Sequence, residues 1–445
     1  MEKKPWNIIL YILLGLNIIT IITFWLIGSA RSFSLGFGFS LIAIGRLLGL
    51  SAVFLVLLQV LLIGRTIWVE QLFGLDKLSR SHHRSGTYAI YLILLHPIFI
   101  TAGYAINSKT AFFSQLIIFI TTWKYVLLAA LALLLFAAIV IISLVIVRNR
   151  LKYETWYYVH VFVYAAILLA YFHQLAWGGD FITKGFATYW IILYLFVLLN
   201  LLIFRVARPL INMATHDFIV QRIERETHNT VSVYITGKNL ESFPLHPGQF
   251  MIFRFFAKGF WQQAHPFSAS GFDLYDKKYI RITVKASGDF TSEMHKLPAG
   301  TKVLIDGPHG VFTSRFAKHE KFLFIAGGVG ITPIRSLIEG CAINKEDALL
   351  LYANKARKDI IFEKELENME KKYPDIKMVH ILSDEKEWKG EIGYIDNEKI
   401  FRYCPDIKHR EIYLCGPLPM MDSILIALKE LQIPKQNIHY EKFSL

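Results

Sequence analysis

Residues 83–96 read HRSGTYAIYLILLH, and residues 160–173 read HVFVYAAILLAYFH. Each stretch begins and ends on histidine with 13 residue steps between, and each is apolar in its middle. A helix that crosses a bilayer core needs about 20 mostly apolar residues. Working outward from these two stretches, six segments qualify: 7–28, 39–63, 85–106, 125–147, 156–176 and 187–204. The histidine pairs fall on the third and fifth spans, which run in the same direction. Thirteen steps put two residues roughly 20 Å apart along a helix, with an offset of about 220° beyond three full turns. A straight ideal helix therefore does not show both rings on one face, and tilt, bending or differently angled sites must absorb the difference.

The equal spacing predicts two levels, with His83 and His160 near one membrane face and His96 and His173 further across. Two facing imidazole pairs suit bis-histidine ligation of a haem iron. A single histidine in a span is more often a buried, hydrogen-bonded residue, but two matched pairs favour ligation. His82 is the alternative inner ligand. The matching interval and the His83–Arg84 pairing favour His83. An intramembrane arginine is costly and usually has a partner, so Arg46 on the outer half of span two is either a snorkelling side chain or the partner of an outer haem propionate. Arg80 and Arg84 are placed to serve the inner one.

Composition agrees with a membrane chain. Of 445 residues 54% are hydrophobic and only 19% charged, yet the net charge is +13. This excludes a disordered chain, and length with three cysteines excludes a disulfide scaffold. Residues 1–215 carry 16 Lys and Arg against 5 Asp and Glu, whereas residues 216–445 carry 32 against 30. The basic charge interrupts apolar runs rather than forming a face on a folded domain, so no nucleic-acid partner is expected. With the N-terminus inside, eleven basic residues fall in inner segments (Lys3, Lys4, Arg65, Lys77, Arg80, Arg84, Arg148, Arg150, Lys152, Arg205, Arg208) and four in outer ones (Arg31, Lys109, Lys124, Lys184). That bias orients the spans. The chain is expected to be a six-span protein of the cell membrane, in contact with lipid, with both ends in the cytoplasm.

From about residue 216 the pattern changes. Short alternating stretches (DFIVQRIERE, TVSVYITG, QFMIFRFF, YIRITVKA, KVLIDGP) predict an antiparallel β-barrel over 213–316. From 317 to 445 strands alternate with helices, which predicts a parallel α/β domain. The expected architecture is thus a transmembrane haem-binding bundle over 1–212, a barrel and an α/β domain. AGGVGITP (326–333) turns from a strand into a helix, and Gly327, Gly328 and Gly330 let backbone approach a phosphate. Thr332 is expected to cap the helix, with Pro333 at its first position. Lys355 and Arg357 follow the second long strand, where a ribose 2′-phosphate would lie, although a solvated charge run reads equally well there. In HPFSAS (265–270) a hydroxyl such as Ser268 could bond flavin N5 and Phe267 could pack on an aromatic ring. In SGDFTS (287–292), Gly288 and Thr291 sit at a predicted helix N-terminus suited to a pyrophosphate.

Taken together these residues resemble the ferric reductase and NADPH oxidase superfamily over nearly the whole chain. The bundle resembles its six-helix domain, with the paired histidines on spans three and five. The second half resembles a ferredoxin-NADP reductase module. HPFSAS, with His265, Pro266, Phe267, Ser268 and Ser270, resembles the family's FAD motif, preceded by PGQF (247–250). SGDFTS resembles the pyrophosphate segment, DGPHG (306–310) the G-P-x-G turn, and AGGVGITP and YLCGP (413–417) the two NAD(P)H motifs. The last of these holds Cys415, Gly416 and Pro417, with Cys415 near the nicotinamide. His309 departs from the aromatic residue usual in that turn. Phe443 resembles the flavin-stacking terminal aromatic residue, although Ser444 and Leu445 follow it.

The resemblance implies NADPH or NADH as donor, FAD and two haem b as cofactors, and electron transfer to an extracellular acceptor. The expected acceptor is oxygen, giving superoxide; a ferric or cupric chelate, or an extracytoplasmic protein, is the alternative. The outer segments hold few acidic or sulfur ligands and no evident docking motif for a protein partner.

Overall fold

The computed structural model describes residues 3–149, 153–177, 184–272 and 278–441. They divide into two compact units. One comprises Glu2–Thr66 and Lys77–Leu202; the other comprises Ile67–Asp76 and Ile203–Leu445, with Met1.

The first unit is helical. Six helices among the described residues are long and apolar enough to cross a membrane. Their helical cores are Lys3–Ser29, Phe37–Ile63, Leu75–Ser108, Val126–Asn149, the pair Tyr153–Val161 and Val163–Trp177, and Lys184–Leu201. They are called spans one to six below. Most carry large apolar side chains that face outward all round (Ile19, Leu134, Ile141, Leu168, Ile192), the pattern of helices whose solvent is hydrocarbon. Small residues set the close approaches. A Cβ on Gly103 of span three would come within 2.6 Å of the Gly38 carbonyl of span two, and one on Gly45 within 2.9 Å of the Ile100 side chain. Close packing through small residues is how membrane helices gain contact without a hydrophobic driving force. The segment 107–124 between spans three and four is itself partly an apolar helix, Phe112–Thr122.

The second unit contains two sheets. Strands β1 (Ile219–Thr227), β2 (Thr230–Thr236), β3 (Phe250–Phe255), β4 (His265–Gly271), β5 (Ile280–Lys285) and β6 (Val303–His309) form an antiparallel sheet in the order β1-β2-β5-β4-β3-β6. It closes through backbone bonds from Val220 to Thr301 (2.9 Å), Gly300 to Val220 (2.7 Å) and Val303 to Phe218 (2.9 Å). Closure removes the exposed strand edges. The barrel is filled by Val233, Ile235, Met251, Phe253, Phe255, Ile282, Val303 and Ile305, all essentially buried.

Strands β7 (Lys321–Gly327), β8 (Asp347–Asn354), β9 (Ile376–Leu382), β10 (Glu391–Ile392), β11 (Glu411–Cys415) and β12 (Ile438–Glu441) form a parallel sheet in the order β10-β9-β8-β7-β11-β12. Its strands are apolar on both faces. Phe322, Phe324, Leu350, Tyr352 and Tyr413 face one cluster and Leu323, Ile325, Leu351, Ile412 and Leu414 the other, as a sheet covered on both sides requires. The order reverses between β7 and β11. That switch point is where open parallel sheets bind their ligands.

Candidate functional site

Within the helical unit, the ring facing His160 is His82 rather than His83. The His82 and His160 ring centres are 6.2 Å apart, and those of His96 and His173 are 6.4 Å apart. His83 is exposed on the helix surface. The reason lies in the helical period. His82 to His96 is 14 steps, about 40° short of four full turns, so both rings occupy one face of span three. The 13-step interval matched by His83 does not. Span five meets its own 13-step interval with a break. Phe162 interrupts the helix and its amide bonds back three residues to Val159 at 3.1 Å.

Span two orients both rings of span three. His96 Nδ1 lies 2.8 Å from the Gly45 carbonyl and His82 Nδ1 3.3 Å from that of Gln59, again 14 residues on. A Cβ on Gly49 would stand 2.7 Å from His96 Nδ1, so glycine there makes room for the ring. A carbonyl held on Nδ1 fixes the tautomer that leaves Nε2 available to a metal. Two metal–imidazole bonds of roughly 2 Å each, plus the reach of two rings, come to about 6 Å between ring centres. Both observed separations fit that span. Arg46 lies on span two, next to Gly45.

In the second unit, strand register brings the sequence motifs together. Phe250 of β3 pairs with Ser268 of β4 on one side and with His309 of β6 on the other. HPFSAS and the DGPHG turn therefore lie in one row across three strands. The Ser268 hydroxyl is buried and has no hydrogen-bond partner among the described residues. An orphaned buried hydroxyl is costly unless a ligand completes it, which fits a flavin edge. Phe267 packs on Phe253, Pro266 is exposed, and the His265 ring lies 3.9 Å from that of Phe290. Ser270 does not join the site. It is fully buried, bonded to Thr283 at 2.8 Å and to the Arg281 carbonyl. Its hydroxyl joins those of Thr283 and Ser232 on the face turned away from the barrel interior, which the alternate residues Ala269, Ile282 and Val233 fill. Gly288 precedes the short helix Asp289–Glu293, and the Thr291 hydroxyl accepts the amides of Ser287 and Gly288, each at 3.0 Å.

At the sheet switch point, Gly327 ends β7, Gly328 turns at φ +52°, and Gly330 opens the helix Ile331–Asn344. A Cβ on Gly330 would collide with the Cys415 carbonyl, and one on Gly327 with Met420 and Pro417. These glycines are what let the two NAD-type turns meet. Gly416 adjoins the same contact, and Pro417 precedes the helix Leu418–Glu430. The expected cap is corrected here. Gly330 holds the cap position, Thr332 lies one residue inside the helix with its hydroxyl on the Val329 carbonyl (3.0 Å), and Pro333 follows it. The 3-10 turn Gly328–Gly330 starts the helix earlier than a side-chain cap would.

Cys415 is fully buried, and burial pushes its thiol well above the ordinary range, so it is a neutral thiol. Its strand partner is Glu441. Burial, with the charges of Asp76 and Glu70 behind it, pushes the Glu441 carboxyl up to about 8. Lys355 follows β8 and its carbonyl accepts the Asp384 amide. Arg357 is exposed, bonded through Nε to Glu363 at 2.6 Å and set over the Trp388 ring at 6.0 Å. Phe443 lies outside the described residues.

Sequence reasoning missed Glu441 and a buried ionic network that joins the barrel to the α/β sheet. Arg281 of β5, 4% exposed, bonds Glu365 at 2.8 Å and the Ser270 carbonyl at 3.1 Å. Arg335, on the phosphate-turn helix, bonds the same carbonyl at 3.2 Å and pairs with Glu339 and Glu365. Burial alone would raise the Glu365 carboxyl, but Arg335 and Arg281 overcome this and hold it below its ordinary value. An arginine in an otherwise apolar strand, YIRITV, was the available signal.

Three family models match the chain: "Ferric reductase like transmembrane component" over residues 48–171, "FAD-binding domain" over 217–313 and "Oxidoreductase NAD-binding domain" over 324–425. Among curated proteins, the glycine betaine monooxygenase reductase subunit of Chromohalobacter salexigens is 31% identical over 173 residues, 37% of this chain and 47% of that protein. The NADH-cytochrome b5 reductase 2 of Neurospora crassa is 32% identical over 165 residues, covering 35% and 46%. Flavohemoprotein A of Dictyostelium discoideum is 28% identical over 250 residues, covering 52% and 60%. The chain thus spans about half the length of the first two relatives. Among solved structures, the ferredoxin reductase in carbazole 1,9a-dioxygenase is 21% identical with a TM-score of 0.44, covering 51% of this chain and 68% of that one.

Proposed function

We propose, from the premise that this chain has the three-domain architecture of the ferric reductase and NADPH oxidase family, that it is a transmembrane NAD(P)H oxidase. Bound FAD and two b-type haems would supply the conversion of a two-electron hydride donor, NADPH or NADH, into single electrons delivered to extracellular oxygen as superoxide. The observation that carries the reading is the pair of facing histidine couples, His82 with His160 and His96 with His173, at 6.2 and 6.4 Å between ring centres. They lie roughly 21 Å apart along span three, the rise of 14 residues.

The chain's own residues divide the work. The Gly45 and Gln59 carbonyls would hold the imidazole tautomers of His96 and His82, and His82 with His160 and His96 with His173 would hold one haem each. Held by two histidines each, the haems would supply one-electron transfer rather than a binding site for the acceptor. Ser268 would offer its unpartnered hydroxyl to the flavin and Phe267 its ring. Gly327, Gly328 and Gly330 would cradle the dinucleotide phosphates, leaving the nicotinamide beside Cys415. The neutral thiol suits an uncharged stacking ring better than a thiolate would. The eleven-to-four charge bias supports a cytoplasmic reductase and a plasma-membrane location.

Oxygen is favoured over a metal chelate because the outer segments 29–38, 107–124 and 177–186 hold one carboxylate, Asp180, and no Cys or Met. The test is NADPH-driven cytochrome c reduction by the purified full-length protein in nanodiscs, with and without superoxide dismutase, beside reduction of a ferric chelate. Dismutase should abolish most of the cytochrome c signal. Dismutase-insensitive reduction with faster turnover of the chelate would replace the oxidase reading by the reductase one.

A further inference from the structure

The segment Ile67–Asp76 runs in the chain from just after span two to the second residue of span three, yet it packs as part of the unit that holds the flavin barrel. Its helix Ile67–Phe73 touches β6. Gly74, at φ +78°, lies so close that an added Cβ would stand 3.1 Å from the Val311 side chain. Within this segment Glu70 is 1% exposed, and its Oε1 accepts the Gly310 amide at 2.6 Å.

Gly310 closes the DGPHG turn. It takes φ +98°, a region that side chains resist, and a Cβ there would press on the Phe250 ring at 3.2 Å. Its carbonyl is held too, by Gln249 Nε2 at 3.2 Å, and Gln249 is fixed in turn by the His246 amide at 3.0 Å. Asn212, from the helix that follows span six, donates to the Gly307 carbonyl at 3.2 Å. His309 and Asp306 pair inside the turn at 3.2 Å. Both peptide groups of Gly310 are therefore clamped, and the clamp on the amide comes from a carboxylate with the Arg208 guanidinium as a nearby counter-charge. The turn stands in register with Ser268, one strand beyond Phe250.

We propose that Glu70 is a positioning residue for the flavin: by accepting the Gly310 amide it fixes the Asp306–Gly310 turn, so that FAD binding depends on a carboxylate carried by the segment between spans two and three. This rests on the reading of the Ser268–Phe250–His309 row as the flavin site. A merely structural Glu70 would tolerate neither Ala nor Gln, since both remove its buried charge from the Arg208 cluster. A positioning Glu70 tolerates Gln, because the amide oxygen still accepts from Gly310.

The experiment titrates FAD into flavin-depleted full-length protein in nanodiscs and follows quenching of the flavin's fluorescence, for wild type, E70Q, E70A and F267A. E70A should bind FAD about 10-fold more weakly or worse, the loss of one buried hydrogen bond to a charged acceptor, with E70Q within about threefold of wild type. F267A should weaken binding whatever Glu70 does. E70A binding as wild type while F267A does not overturns the proposal and leaves the flavin site standing. E70Q as weak as E70A also overturns it. Wild-type binding by both E70A and F267A overturns the site reading and the proposal together.

Discussion

Replacing Glu441 by Gln should change how stability depends on pH, in a direction set by the surroundings of that carboxylate. Glu441 ends β12, is 9% exposed, and its Oε2 has no hydrogen-bond partner among the described residues. Burial first, then the neighbouring Asp76 and Glu70, move its pKa from an ordinary 4.5 up to about 8. Between those two values the folded chain keeps a proton that the unfolded chain has released. The folded state then binds more protons than the unfolded one, so stability falls as pH rises through this window and levels off above pH 8. A gap of about 3.5 pH units between the two values, at about 1.36 kcal/mol each, places the whole loss on the order of 5 kcal/mol, of which about 4 kcal/mol falls between pH 5 and pH 9. E441Q has no proton to lose, and comparing it with wild type cancels every other titrating group. At roughly 2–4 °C per kcal/mol for a unit of this size, the melting temperature of E441Q should gain about 8–16 °C on wild type between pH 5 and pH 9. Full-length protein in nanodiscs, melted with flavin release as the signal, reads this directly. A gap between the two proteins that stays constant from pH 5 to pH 9 would refute the reasoning.

Three other outcomes follow from the same geometry. H82A should lose one of the two haems and H83A neither, by pyridine haemochrome assay; two haems per chain in H82A would return the inner site to His83. Changing Lys355 and Arg357 together to Ala should raise KM for NADPH at least about fivefold more than for NADH, because only the former carries a 2′-phosphate to contact; equal effects would remove that contact. R281M should lower the stability of the reductase unit by about 3 kcal/mol, since it leaves the carboxylate of Glu365 short of one of its buried partners; a denaturation midpoint of flavin release equal to wild type would show that Arg335 alone satisfies it.

What the sequence made legible was whatever depends on local periodicity. The six spans, the alternating strands of the barrel and the Gly-rich turn after β7 follow from side-chain period and turn chemistry, which neighbours in the chain decide. Contacts between distant segments were not legible. Ser270 belongs to the same motif as Ser268, but its hydroxyl meets Thr283 of β5 whereas that of Ser268 meets none among the described residues, a difference that the neighbours across the sheet decide and the pleat, which puts i and i+2 on one face, does not. Glu70 sits in an unremarkable stretch, WVEQLFG, and gains its meaning from an amide 240 residues away. Glu441 was likewise invisible, because its environment is assembled from β12 and the segment before span three.

The histidines show how a periodicity argument can be sound and still choose a residue other than the one that the fold turns toward His160. Matching intervals of 13 made His83 the natural partner of His160, because equal spacing on two helices implies equal levels. Level and facing are separate requirements. Level tolerates a shift of one residue, about 1.5 Å of rise, whereas facing does not tolerate the 100° turn that goes with it. Span three is one unbroken helix, Leu75–Ser108, so only a 14-residue interval keeps both of its rings toward span five. Span five is broken at Phe162 and so can accept 13. The same four-turn interval recurs in the Gly45 and Gln59 carbonyls of span two, which is likewise unbroken through that stretch. Two continuous helices packed side by side can support each other at two depths only if both repeat on whole turns, and that requirement selects His82.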